Sequence, residues 1–159
     1  MKKVTLAQVP VEHRRFPKGR FELERQHVSL ALGGIKELGP WGVGHGFDIE
    51  WTTLPPGKAN YPPHSHAAPT KHFIILSGIG ILPEDKGGEE RPAARDHVFC
   101  HPGETHQMEN RGTPSLVFYA IADHPRADVS AYPHTGKRHL KLEDRVVSVA
   151  ETDCSVGGE

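Results

Sequence analysis

Turn residues interrupt this chain so often that long helices have no room to form. Glycine (17) and proline (14) make up nearly one residue in five of the 159. Between them lie short runs rich in β-branched and aromatic residues. Phe47-Asp48-Ile49-Glu50-Trp51-Thr52 alternates apolar and polar strictly, the period of a half-buried strand. Residues 27–32, 98–100, 106–108 and 115–122 read as further strands, and 146–149 as an edge strand. Residues 73–82 read as a strand run buried on both faces, bent by Gly78 and Gly80. No long stretch carries a 3.6-residue period. Many short strands separated by turns indicate an all-β sandwich or barrel.

The length suits one domain. Residues 1–25 are polar and charged, and are expected to form an N-terminal arm over the domain or over a partner subunit. Residues 26–150 are expected to form a single barrel, and 151–159 a frayed C-terminal tail. With 19 Lys and Arg against 20 Asp and Glu, the formal net charge is −1. That balance argues against a dedicated nucleic-acid binder. The longest apolar run, Phe73-Ile74-Ile75-Leu76, is far too short to cross a bilayer. The first ten residues do not read as a signal peptide. Cys100 and Cys154 are too few for a disulfide framework. The expected compartment is the cytoplasm.

Histidine is abundant, at 12 residues, and it is the commonest metal ligand. Pro63-His64-Ser65-His66 places two imidazoles at i and i+2, on the same side of an extended chain. His101-Pro102-Gly103-Glu104-Thr105-His106 offers a third from another segment. Three protein nitrogens leave positions open for water or substrate, the pattern of a catalytic rather than a structural site. His97 reads as an exposed strand residue. His13, His27, His45, His124, His134 and His139 read as solvated. Cys100 reads as a small buried hydrophobe rather than a nucleophile.

These two segments resemble the paired motifs of the cupin superfamily. His64, His66 and Gly78 match the first, Gly-x5-His-x-His-x3-4-Glu-x6-Gly, and Gly103, His106 and Asn110 match the second. The resemblance covers roughly residues 46–122, with a weaker likeness at 132–137 to the tail of small bacterial cupins of unassigned function. It implies a double-stranded β-helix, or jelly-roll, barrel. Several positions depart from the pattern. Lys58 and Arg95 stand at glycine positions, and His101 at a proline position with Pro102 following. Lys71 stands where the family carries its acidic metal ligand.

Lys71 has three readings. It points away and leaves a three-histidine site. It enters the cavity and repels the ion. Or it is desolvated and becomes a base or nucleophile, a catalytic role. The register puts Lys71 inward and His72 outward, and a one-residue slip makes His72 the fourth ligand. His101 is a further neighbour that can line the cavity. Phe73, Ile75, Phe99, Met108 and Phe118 are the expected apolar walls.

What the resemblance implies is a mononuclear metal site on His64, His66 and His106, holding a divalent Fe, Mn, Ni or Zn. The chain would act on a small organic molecule, by dioxygenase-like or isomerase-like chemistry. The alternative is a non-catalytic module that binds a small acid or sugar with weak or no metal, because Lys71 replaces the glutamate. The expected partners are a small-molecule ligand and a second copy in a homodimer, with no nucleic acid and no membrane.

Overall fold

The structure is a computed structural model and describes residues 1–36, 38–84 and 87–149. Its strands are β1 (Glu12–Arg15), β2 (Glu22–His27), β3 (Phe47–Leu54), β4 (Ser65–His66), β5 (Lys71–Ser77), β6 (Leu82–Pro83), β7 (Glu89–Glu90), β8 (His97–Cys100), β9 (Leu116–Asp123), β10 (Val129–Tyr132), β11 (Lys137–Leu140) and β12 (Arg145–Ser148). Six form one sheet in the order β1-β2-β3-β9-β5-β8, four form a second in the order β12-β11-β10-β4, and β6 pairs with β7. Every strand pairing is antiparallel. The architecture is the double-stranded β-helix expected from the motifs. The expected edge strand near Val146 is β12, at one margin of the smaller sheet. The tail at 151–159 lies outside the described residues.

Residues 12–25, expected within an arm, instead supply strands of the larger sheet. β1 and β2 carry no apolar alternation that would announce them. Charged pairs across the strands hold them: Arg15 with Glu22 (2.7 Å), His13 with Glu24 (3.2 Å) and Arg25 with Glu12 (2.8 Å). The strand expected at 27–32 is also corrected. β2 ends at His27, and Val28–Ala31 forms one helical turn, α1. The Ser29 hydroxyl donates to the Asp48 carboxylate and accepts the Ile49 N–H (3.2 Å), which turns the chain back over β3. The expected strand at 106–108 is a series of single bridges, His64 with His106 and Ala59 with Glu109.

The core lies between the sheets. Leu23, Leu54, Phe73, Ile75, Leu82, Cys100, Met108, Leu116 and Phe118 form one buried cluster. Of the expected apolar walls, Phe73, Ile75, Met108 and Phe118 belong to it. Phe99 does not: it is 53% exposed on the outer face of β8.

β3 inverts the usual sense of its alternation. Asp48, Glu50 and Thr52 face the barrel interior. Ile49 and Trp51 lie on the outer face, where Trp51 meets Tyr119 of β9 edge-on at 5.2 Å between centroids. The run at 73–82 is fully buried on one face only, since Ile74 and Leu76 are half-buried outside.

The second-motif asparagine is a structural staple. Asn110 is 1% exposed. Its amide donates to the Leu54 and Pro114 carbonyls (2.9 Å each), and its side-chain oxygen accepts the Gly112 N–H (2.9 Å). Gly78 closes the first motif at φ +83°. A Cβ there would lie 3.0 Å from the Leu116 Cα and the Ser115 carbonyl, which fixes glycine at that turn. Asn110→Ala strands three backbone groups. It is expected to lower unfolding free energy by about 3 kcal/mol, read by urea denaturation.

Candidate metal centre

The histidines are brought together by the backbone. The His64 N–H donates to the His106 carbonyl (3.2 Å), and the His106 N–H donates to the His64 carbonyl (2.9 Å). His66 follows on β4, paired with Ser130 of β10. On its other side the Gly103 N–H donates to the His66 carbonyl (2.8 Å), which the positive φ of Gly103 (+88°) permits. Each imidazole then offers one nitrogen, and all three nitrogens lie within 4.8 Å of one another. Ring centroids are separated by 4.6 Å (His64–His106), 5.0 Å (His64–His66) and 5.6 Å (His66–His106).

Each Nδ1 is already engaged. That of His64 faces the Pro62 carbonyl (2.8 Å), that of His106 the Glu104 carbonyl (3.1 Å), and that of His66 the Asp128 carboxylate (2.6 Å). A carbonyl or carboxylate only accepts, so each ring is held as the Nδ1–H tautomer and Nε2 keeps its lone pair. Burial pushes His64 down to about 3, helped by the neighbouring rings of His106 and His66. Burial likewise pushes His106 down to about 4. Both are neutral at pH 7, as ligation requires. Imidazole–metal bonds of about 2.0–2.1 Å place ligand nitrogens roughly 3–3.5 Å apart, so a small inward turn of the rings suffices. The donor set fits a divalent first-row ion.

Asp128 anchors this arrangement. Its carboxylate also accepts the Ala67 N–H (3.0 Å), the Ala68 N–H (3.2 Å) and the Ser130 hydroxyl (3.3 Å). Its pKa is lowered: burial opposes the shift, and the bond to His66 drives it. Sequence reasoning missed Asp128. It lies 62 positions from its histidine, in a segment without strand alternation, and no local signal marks it.

A cavity of about 310 Å³ opens beside the triad. It is lined by His64, His66, Lys71, Tyr61, Tyr132 and Glu50, with Arg14, Arg25 and Lys36 also on its wall. A deeper recess of about 60 Å³ reaches His106, Phe73 and Phe118. Lys71 lines both. Its side chain is thus placed toward the cavity rather than away from it.

His72 does not join the site. It lies outside, its Nε2 3.0 Å from the His97 Nδ1. His101 is exposed with its ring against Phe99 (4.9 Å). Cys100 is buried, and burial pushes its thiol up to about 11, which keeps it protonated. His27, expected to be solvated, is instead enclosed between Glu12 (3.0 Å) and Glu50 (3.2 Å). It forms a second cluster of potential ligands with Asp48 and Glu50. Arg25 is shared there between Glu50 (3.2 Å) and Glu12 (2.8 Å).

Two outcomes follow from this geometry. Asp128→Asn is expected to weaken zinc or manganese binding about 10–100-fold in calorimetric titration, while thermal unfolding stays cooperative. The second concerns acid. The folded state keeps His64 and His106 uncharged, whereas the unfolded chain takes up protons from about pH 6.5. Their contribution to stability is therefore full above that pH and is lost as pH falls toward 4 and 3. The melting temperature of EDTA-treated protein is expected to drop between pH 7 and 5, and to drop less in His106→Gln.

Residues 50–122 match the family described as Cupin domain. An oxalate-binding protein of Thermotoga maritima is 35% identical over 68 residues, 43% of this chain and 54% of that protein. The match thus spans about half the length of that relative. A protein of Acidithiobacillus ferrooxidans named as a candidate sugar phosphate isomerase superposes with a TM-score of 0.75 at 24% identity. It covers 92% of this chain and 90% of its own. A sugar phosphate isomerase from a cupin superfamily, from Silicibacter pomeroyi, superposes with a TM-score of 0.71 at 18% identity, covering 86% and 85%. At these identities the superpositions speak for the fold alone. Fold, paired motifs and domain match together identify residues 50–122 as a cupin domain.

Proposed function

We propose that the chain is a mononuclear metal-binding cupin acting on a small organic molecule, with His64, His66 and His106 as the protein ligands. The observation that carries this reading is the convergence of three imidazole nitrogens whose Nδ1 atoms are each already tethered. A divalent ion there would polarise a carbonyl or hydroxyl oxygen of the substrate. The remaining positions would be open to that molecule. Ligand type alone is compatible with Fe, Mn, Ni or Zn.

Isomerase-like chemistry is favoured over dioxygenase-like chemistry by the groups around the triad. Glu50 offers a carboxylate that can accept a proton. The Tyr61 hydroxyl, which accepts a hydrogen bond from Arg25 (3.0 Å), is held in a fixed orientation. Burial raises the pKa of both Tyr61 and Tyr132, so both are hydroxyl donors at neutral pH.

A second reading, a module that binds a small acid without turnover, is supported by Lys71 in the cavity. The wider proposal is a cytoplasmic homodimer. Among the described residues no helix is long and apolar enough to cross a membrane. The half-exposed apolar face at Ile49, Trp51, Ile74, Tyr119 and Ile121 is one that a second copy would cover.

Elemental analysis of protein purified without a nickel column tests the metal reading. Stoichiometric metal is expected in the wild type and none in the His64→Ala/His106→Ala variant. Wild-type protein that holds no metal even after reconstitution overturns it.

A further inference from the structure

On the inner wall of the cavity, Lys71 is a charged group left without an ion pair. Every neighbouring carboxylate is already engaged. Glu50 is taken by Arg25 (3.2 Å) and His27 (3.2 Å), Asp48 by the Ser29 hydroxyl, and Asp128 by His66 and the amides of Ala67 and Ala68. Arg25 is itself 5% exposed and bound to Glu12, Glu50 and Tyr61. Lys71, half-buried on the inward face of β5, makes no hydrogen bond or ion pair among the described residues. The rings beside it are imidazoles, which carry no negative charge to offset an ammonium.

We propose that the cavity selects ligands bearing a carboxylate or phosphate, and that Lys71 is the residue that binds that group. The proposal deepens the function proposed above and uses the same cavity. The ammonium needs a counter-charge, and neither lining carboxylate, Asp48 or Glu50, bonds to it. A divalent ion on the triad adds positive charge beside it, so the preference for an anion grows when metal is loaded. An anionic ligand would bring the missing negative charge to this position, next to the ammonium and the imidazoles that would hold the ion. The volume of about 310 Å³ limits the ligand to a small molecule. Lys36, exposed at the wall of the cavity, adds positive potential at its entrance.

Calorimetric titration of the full chain with paired probes tests this. Lactate is compared with propane-1,2-diol, and glycerol 3-phosphate with glycerol. Each pair is run on manganese-loaded and EDTA-stripped protein, with metal content measured in parallel. The wild type is expected to bind at least one anion tenfold or more tightly than its neutral counterpart. The tighter pair identifies carboxylate or phosphate as the group recognised. Lys71→Met is expected to lose that preference while retaining metal, and Lys71→Arg to keep most of it. Equal affinity for anion and neutral probe in the wild type overturns the proposal. So does an undiminished anion preference in Lys71→Met, or no anion binding up to high millimolar concentration. Wild-type protein without metal strikes the metal reading alone, and the EDTA-stripped titrations then decide this one.

Discussion

Two backbone hydrogen bonds between His64 and His106 are the constraint on which the site depends. They close a strap in which residues 59–64 run beside 106–110. Asn60 reinforces the strap from both ends: its N–H donates to the Met108 carbonyl (3.0 Å), and its side-chain oxygen accepts the Met108 N–H (3.0 Å). Gln107 adds a bond from its side chain to the Tyr61 carbonyl. With the strap closed, two imidazoles are forced together away from water, and only neutral rings tolerate that. The carbonyls of Pro62 and Glu104 then determine which nitrogen keeps its proton. Neutrality, tautomer and convergence of His64 and His106 are consequences of one backbone arrangement.

The third histidine depends on something else. His66 belongs to the smaller sheet through its pairing with Ser130, and its ring is set by Asp128. The site therefore straddles a seam between a strap in the core and a sheet whose strands are short and polar. The carboxylate of Asp128 bonds the His66 ring and the two amides that follow it in sequence. The link that fixes the imidazole thus also fixes the chain leading into β5 and Lys71.

Much of the site was legible because its chemistry is local. His64 and His66 lie two residues apart on an extended segment, and the Pro-Gly turn before His106 belongs to a recognisable motif. Phe73, Ile75, Met108 and Phe118 were readable as core for the same reason: apolar residues beside motif positions. What escaped was held by contacts between distant, charged segments. β1 and β2 are strands because Arg15 meets Glu22 and Arg25 meets Glu12 across them, and propensity does not encode such pairs. His27 was read as solvated because its enclosure by Glu12 and Glu50 is a tertiary fact. Phe99 was read as a wall because strand alternation gives two faces without saying which is inward.

That last ambiguity bears on function. In β3 the apolar residues face out and Asp48, Glu50 and Thr52 face in. A barrel organised for stability alone would place Ile49 and Trp51 inside. Thr52, which touches the deep recess, and Leu54 below it still rest on the packed core. Toward Asp48 the interior becomes polar and open. The chain thus divides one barrel into a dry half, filled by Leu54, Phe118, Met108 and Leu116, and a wet half lined by ionisable groups. Lys71 sits one alternation above Phe73 on β5, at the boundary between the halves. There the ammonium stands without an ion pair, while Arg25 holds Glu50 (3.2 Å). The unpaired charge at Lys71 therefore faces the same interior space that the inversion opens for a ligand.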